Sequence, residues 1–527
     1  LKRAIRRNLF LLLSFAMIIA SLGVPAVQAA TPSTITIYLD GKKIVSDVPP
    51  YIVPKVNVTM VPISVIGQNL KASVSWTQKT KTATIKKSGT TILLKAGQKY
   101  ATVNGAKVAL DYSVQSVNGR TMVPLRFVSD QLNVAVTWYQ SARTIKLQSP
   151  EGLADDSLKG AWVSTVYNLD WPSKASYGDS ARQQQEYAQM LDELQAMGIN
   201  AVFVQVRSAA DSLYPSELVP WSKYLTGTQG QAPDYDPLAF MIEETHKRGM
   251  AFHAWFNPFR ANTGEKTEAL APNHVAVQHP DWIVQTGNAD SPKMYINPGI
   301  PEARKHIIDA IMETVKGYEI DGVHLDDYFY PSSGAFEDEA TFAAYNAVGI
   351  ATKEEWRRGN INAFVRDLDQ AIHKTKPGVQ FGISPFGVWR NQSQDPTGSN
   401  TTASVTAYDS MGADVRTWIR QGWVDYVVPQ IYWSLSFKVA KYDTLVDWWA
   451  NEVRGTDVKL YIGHAPYKLG TTETGWGSAQ EIIDQLVYNR KLFEVKGDIF
   501  FSAKDLRRNP LGLVPLLQSF YKVNKPN

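Results

Sequence analysis

The 527-residue chain contains no cysteine. That excludes disulfides, thiolate metal sites, cysteine nucleophiles and a lipid-modified N-terminal cysteine. All eight histidines lie at position 246 or beyond, so residues 31–150 hold no soft metal ligand of either type. No Gly-rich phosphate loop follows any predicted strand, and no His-Glu-x-x-His run occurs. Long apolar runs are missing apart from residues 9–24, which excludes a polytopic membrane protein. Hydrophobic content is an ordinary 44%, so the chain is not disordered, and its length allows about two to four domains. Aromatics are plentiful at 11%, with 15 Trp and 24 Tyr. Sugar rings stack on such faces, so this abundance suits a protein that handles carbohydrate.

The one apolar run follows Lys2, Arg3, Arg6 and Arg7 and precedes Pro25 and the small residues of Val27-Gln28-Ala29-Ala30. This is the pattern of a signal peptide over 1–30, short for a retained membrane anchor. The expectation is a bacterial protein that is secreted or associated with the cell wall. Charge then divides sharply. Residues 31–150 carry 15 Lys and Arg against Asp40, Asp47, Asp111 and Asp130, a net of +11. Residues 151–527 carry 35 basic and 46 acidic residues, a net of −11. A basic exported module suits anionic cell-wall polymers as partners, although a merely solvated lysine face has the same composition. Nothing points to nucleic acid, and a monomer is expected.

The basic region repeats internally. Thr59-Met60-Val61-Pro62 recurs as Thr121-Met122-Val123-Pro124, Trp76 as Trp138, and Thr84-Ile85-Lys86 as Thr144-Ile145-Lys146. Each copy reads as a turn, a short amphipathic helix (63–70 and 125–132), a strand through Trp, and a second strand. Two copies predict one compact β-rich domain over 31–148. This region resembles the copper amine oxidase N-terminal-like domain of secreted proteins. With neither His nor Cys present, the resemblance implies a stalk or wall-binding module rather than copper chemistry.

A linker is expected at 149–159. Beyond it, over 160–527, short apolar runs alternate with helix-period segments eight times. The strands are predicted at 160–167, 200–207, 250–257, 322–328, 379–388, 425–433, 459–465 and 498–503. Helices are predicted at 183–197, 237–248, 301–317, 352–374, 409–421 and 479–491. Eight alternations predict an α/β fold, a (β/α)8 TIM-type barrel. Such a barrel needs about 250 residues, so the loops are long, above all at 258–321 and 389–424.

Polar residues gather at the strand ends, where barrel enzymes place their sites. Arg207 and Asp211 follow strand two, His253, Trp255 and Asn257 close strand three, and Asn297 lies in the loop beyond. Strand four carries His324, Asp326 and Asp327, and Trp389 follows strand five. Gln430, Tyr432 and Trp433 end strand six, and His464 ends strand seven. Adjacent carboxylates repel, which raises a pKa and supplies a general acid. Glycosidases work with such a pair. Asp326 ranks first as the catalytic carboxylate and Asp327 second, with Asp395 and Asp409 of the long loop as further candidates. The remaining strand-end residues are candidates for gripping substrate.

The motifs "VFVQVR", "HAWFNP", "YINPGIPEAR", "DGVHLDDYFYP", "ISPFGVWRN", "DPTGS", "YDSMGADVRTWI" and "VDYVVPQIYW" span roughly 160–505. They resemble the glycosyl hydrolase-like 10 family of bacterial exported proteins. That resemblance implies a glycosidase acting on a cell-wall polysaccharide, namely peptidoglycan glycan strands, particularly those stripped of stem peptides. "DGVHLDD" is also similar to the strand-four motif of substrate-assisted chitinases, with Tyr432 matching their strand-six tyrosine. Tyr328 stands where those enzymes carry glutamate. No cofactor or metal is expected. Convergence of His253, His324 and His464 on Asp326 would instead make a barrel metallohydrolase, and a barrel without turnover would be a glycan-binding surface protein.

Overall fold

The computed structural model describes residues 34–523 except 41, 88, 133, 140–142, 150–156, 289–290, 328 and 333. The predicted signal peptide, most of the predicted linker and Tyr328 therefore lie outside the described residues. The chain divides into two compact units.

In the N-terminal region the repeated sequence becomes a repeated structure. The two "MVP" strands, Val58–Pro62 and Arg120–Pro124, pair antiparallel with Val61 opposite Val123, its counterpart in the other copy. Equivalent residues facing each other mark a local two-fold, and Met60, Val61, Met122 and Val123 are fully buried around it. Each strand leads into a seven-residue helix, Ile63–Asn69 or Leu125–Gln131. A five-stranded antiparallel sheet and a second four-stranded sheet complete the β-rich module.

The second unit is a closed barrel of eight parallel strands. They are Leu158–Val163, Ala201–Arg207, Ala251–Phe256, Gly322–Leu325, Gln380–Ile383, Tyr426–Val427, Lys459–His464 and Val495–Phe500. The first pairs with the eighth and closes the ring. Both faces of these strands are covered, so Ala201–Arg207 is buried at every position, as an apolar parallel strand requires. Outward residues such as Val202, Val204, Phe252, Ala254, Val323 and Leu325 belong to the large core shared with the helices. Inward residues, among them Trp162, Phe203, Trp255, Tyr426 and Tyr461, form a separate core that fills the barrel. Two glycines make room for it. A Cβ on Gly322 would stand 2.2 Å from His253 Nδ1, and one on Gly382 2.1 Å from the Tyr426 ring.

The helices start where sequence chemistry says they should. Asp179 caps Ser180–Ala196, Asp236 caps Pro237–Lys247 and Thr352 caps Lys353–Thr375, each side chain accepting a backbone N–H of the first turn. Pro301–Gly317 matches its predicted span. Several predicted segments differ: strand five stops at Ile383 rather than 388, strand eight is Val495–Phe500 rather than 498–503, and the predicted helix 409–421 is two helices, Ala407–Ser410 and Val415–Gln421. Strand one begins at Leu158, inside the predicted linker. Strand six is only Tyr426–Val427, because Pro429 brings no N–H to the ladder. The long loop after strand three holds a β-hairpin, Ile283–Asn288 with Ser291–Ile296.

Candidate active site

At the C-terminal ends of the strands lies a cleft of about 470 Å³. Trp162, Trp255, Phe386, Tyr432, Tyr467 and Phe501 supply its aromatic walls, and Asp326 and Asp327 are its carboxylates. Strand four delivers both acids. His324 and Asp326 point inward by the two-residue period, while Asp327 follows after the ladder has ended at Leu325.

Asp326 accepts three N–H groups. Asn257 Nδ2 donates to one oxygen at 2.9 Å, while the Asp327 backbone N–H at 2.9 Å and Gln430 Nε2 at 3.4 Å donate to the other. Asn257 is itself aimed by Gln205, whose Nε2 donates to its Oδ1 at 2.5 Å. Gln205 is held in turn by the backbone N–H groups of Thr165 and Val166, at 3.0 and 2.9 Å. A chain of amides from the end of strand one through strands two and three thus fixes one carboxylate.

Asp327 is in a different electrostatic position. Burial, then the neighbouring Asp326 charge and the hydrogen bond the two share, push its carboxyl well above the usual range. A hydrogen bond from Gln430 and one from backbone oppose this. The two acids are adjacent, one anchored acceptor and one proton-holding partner. That is how environment separates two carboxylates into different roles.

Beneath them runs a neutral polar column. Trp162 Nε1 can only donate, so His324 Nε2 accepts from it at 3.1 Å and from the Ser384 hydroxyl at 3.1 Å. The Tyr426 hydroxyl bridges His324 Nδ1 at 3.2 Å and His253 Nδ1 at 3.0 Å. Burial holds His253 down at about 4 and His324 well below its ordinary value, so both are uncharged. They support the floor of the cleft from inside the barrel.

Of the remaining expected residues, Trp255, Gln430 and Tyr432 line the cleft. Trp433 packs edge-on against Phe386 at 5.6 Å, behind the wall. The others are placed elsewhere. Arg207 is fully buried and donates Nη1 to the carbonyls of Asn257 and Pro258 at 2.8 and 3.0 Å, pinning the loop after strand three. Asp211 accepts the backbone N–H groups of Ser208 and Ala209 and ties its own turn. Asn297 joins Gly299 N–H to the Thr341 hydroxyl. Trp389 stacks on Trp448 at 5.6 Å with the Arg416 guanidinium over its ring. Asp395 and Asp409 both pair with Arg390, and Asp395 also accepts from Thr397. They are loop fasteners outside the cleft lining. His464 turns away to Gln485 and Asp498 at 3.0 and 2.8 Å, so the three strand-end histidines do not converge on Asp326. Among the described residues no cluster of three or more His, Asp or Glu side chains is arranged to hold a metal.

Several cleft residues escape the strand-end reading, namely Trp162, Phe501 and Arg260. Arg260 had a signal, since it lies three residues beyond Asn257 in the same run. Its Nε donates to the Ser208 carbonyl at 2.7 Å, while one Nη2 is buried without a hydrogen-bond partner.

Known proteins resemble both parts of the chain. Residues 38–147 match the model of the copper amine oxidase N-terminal domain. Glycosyl hydrolase YngK of Bacillus subtilis (strain 168) is 50% identical over 366 residues, covering 68% of this chain and 71% of that protein. Glycosyl hydrolase DigH of Escherichia coli (strain K12) is 43% identical over 374 residues, covering 67% of this chain and 84% of that protein. Among solved structures, the glycoside hydrolase domain of PgaB (BpsB) from Bordetella bronchiseptica has a TM-score of 0.48 at 13% identity, over 70% of this chain and 99% of that one. Residues 157–477 match the glycosyl hydrolase-like 10 model, so the chain belongs to the glycosyl hydrolase-like 10 family and is by kinship a glycoside hydrolase.

Proposed function

We propose that the barrel hydrolyses N-acetylated glycan strands of the bacterial cell wall, with Asp327 as general acid. The observation that carries this is the adjacency of Asp326 and Asp327 in an aromatic cleft that among the described residues is lined by no third carboxylate. Canonical glycosidase acids flank the scissile bond about 5 Å or more apart. Two acids that share a hydrogen bond cannot do so. Such a pair suits a substrate that brings its own nucleophile, an acetamido group beside the anomeric carbon. The anchored Asp326 would orient and charge-stabilise that acetamide while Asp327 protonates the leaving oxygen. Tyr432, Tyr467 and Phe501, the more exposed rings of the cleft, give the sugar faces to stack on.

The same reading takes residues 1–30 as an export signal, places the mature chain at the cell wall, and makes the +11 module a ligand for anionic wall polymers. That module's grip should weaken with salt, because exposed charges are screened over about 8 Å at physiological ionic strength. The decisive test is incubation of purified peptide-free glycan strands with the wild type and with Asp327→Asn, followed by mass spectrometry. Reducing-end fragments released only by the wild type support the proposal. Strands bound but left intact by the wild type overturn it.

A further inference from the structure

A second groove adjoins the cleft. It has a volume of about 480 Å³ and lies between the hairpin of the strand-three loop and the loop that follows strand four. Gln285, Lys293 and Tyr295 line it from the hairpin, and Ser332 and Glu337 from the facing loop. Ser332 also lines the catalytic cleft, so the two hollows share a wall residue. They meet at a second point. Arg260, at the cleft edge, forms an isolated antiparallel bridge with Tyr295 of the groove. Tyr295 is half-buried and set edge-on against Phe336 at 6.3 Å, which leaves it a fixed aromatic surface. Among the described residues, Gln285, Lys293 and Glu337 line the groove, are exposed, and make no side-chain hydrogen bond or ion pair.

We propose that this groove is a remote subsite for the same polysaccharide, holding sugar units beyond those in the catalytic cleft. The inference rests on the function proposed above and adds to it that the enzyme acts on long chains. A groove lined by one ring and several unpaired polar groups, continuous with a site that cuts a polymer, fits the alternating hydroxyl and pyranose faces of a glycan. Contacts there lie away from the reacting bond. They would serve to hold the chain in register, so that truncated substrates lose reactivity as well as affinity.

The test uses the full chain and a ladder of glycan oligosaccharides from disaccharide to about decasaccharide. Lys293 and Gln285 have no partner to lose, so Lys293→Ala with Gln285→Ala should leave the fold intact. Loss of two polar contacts should lower kcat/KM on the longest chains about tenfold and leave the shortest cleaved substrate unchanged. An equal effect at every length, or none at any, overturns the subsite. Affinity for the same ladder is measured in parallel with Asp327→Asn, with and without the groove changes. Affinity that rises with chain length and falls with the groove changes supports the subsite even if the wild type proves to cut nothing, an outcome that would sink the hydrolytic reading alone. Length-independent affinity overturns the subsite whatever the activity.

Discussion

Asp327→Asn separates an acid from a structural carboxyl. The side chain is buried, faces the Asp326 charge and shares a hydrogen bond with it, so the proton sits on Asp327 well above the ordinary carboxylate range. Asparagine keeps the volume and can still donate a hydrogen bond, but it cannot deliver a proton. General acid catalysis contributes about 10²–10⁴-fold, or about 3–5 kcal/mol of barrier, and turnover of natural glycan should fall by that much. An aryl glycoside with an acidic leaving group needs little protonation and should lose much less. Wild-type turnover should fall as pH rises through the raised pKa, and the variant should lack that limb. Stability moves the same way. Because the folded state binds this proton more tightly than the unfolded chain does, Asp327's contribution is fully present below about pH 4 and is lost as pH rises through the raised value. The asparagine variant escapes that loss, so it should melt above the wild type at alkaline pH. Paired initial-rate profiles and thermal melts from pH 4 to 9 read both effects. Undiminished kcat/KM on natural glycan would refute the assignment.

Asp326→Asn should cut turnover about 10²-fold or more on the natural and the aryl substrate alike, since its part does not depend on the leaving group; a loss confined to the natural glycan would swap the two roles. Trp389→Ala removes a ring stacked on Trp448 outside the cleft, so it should cost about 3–5 kcal/mol of stability while leaving glycan affinity in titrations intact. Asp170 accepts from Ser164 N–H, Lys504 N–H and the Ser502 hydroxyl, yet burial raises it to about 6. The advantage of wild type over Asp170→Asn in urea melts should therefore shrink by about 2 kcal/mol between pH 4 and 7, and a constant gap would contradict that.

The barrel was legible because strands covered on both faces must be apolar throughout, and eight such runs between helix-period segments leave few other architectures. The repeat was legible because the two copies pair their identical "MVP" strands, so the same residues meet the same environment twice. Aromatic and amide residues at strand ends pointed to the cleft, and strand four pointed to its acids. The long 389–424 loop was not legible. It has no period, and nothing in the sequence says that Arg390 would gather Asp395 and Asp409 into a fastening away from the cleft.

Parity decides much of the rest, and it explains both a success and two departures. Along strand three Phe252, Ala254 and Phe256 face the helices, so His253, Trp255 and Asn257 must face inward, and they do. Along strand seven Leu460 and Ile462 face the helices while Tyr461 fills the barrel. His464 shares the parity of the outward residues, and its partners Gln485 and Asp498 lie on that side. The signal that removes His464 from the cleft was thus present in the alternation. Strand two shows where parity fails. Ala201 and Phe203 face inward, and the same count sends both Gln205 and Arg207 into the cleft. The register with strand three slips between them. A bulge re-aims whatever follows it, so Gln205 stays to hold Asn257 while Arg207 is turned into the wall. The slip is a property of two strands and their hydrogen bonds, so reading one strand alone cannot reveal it.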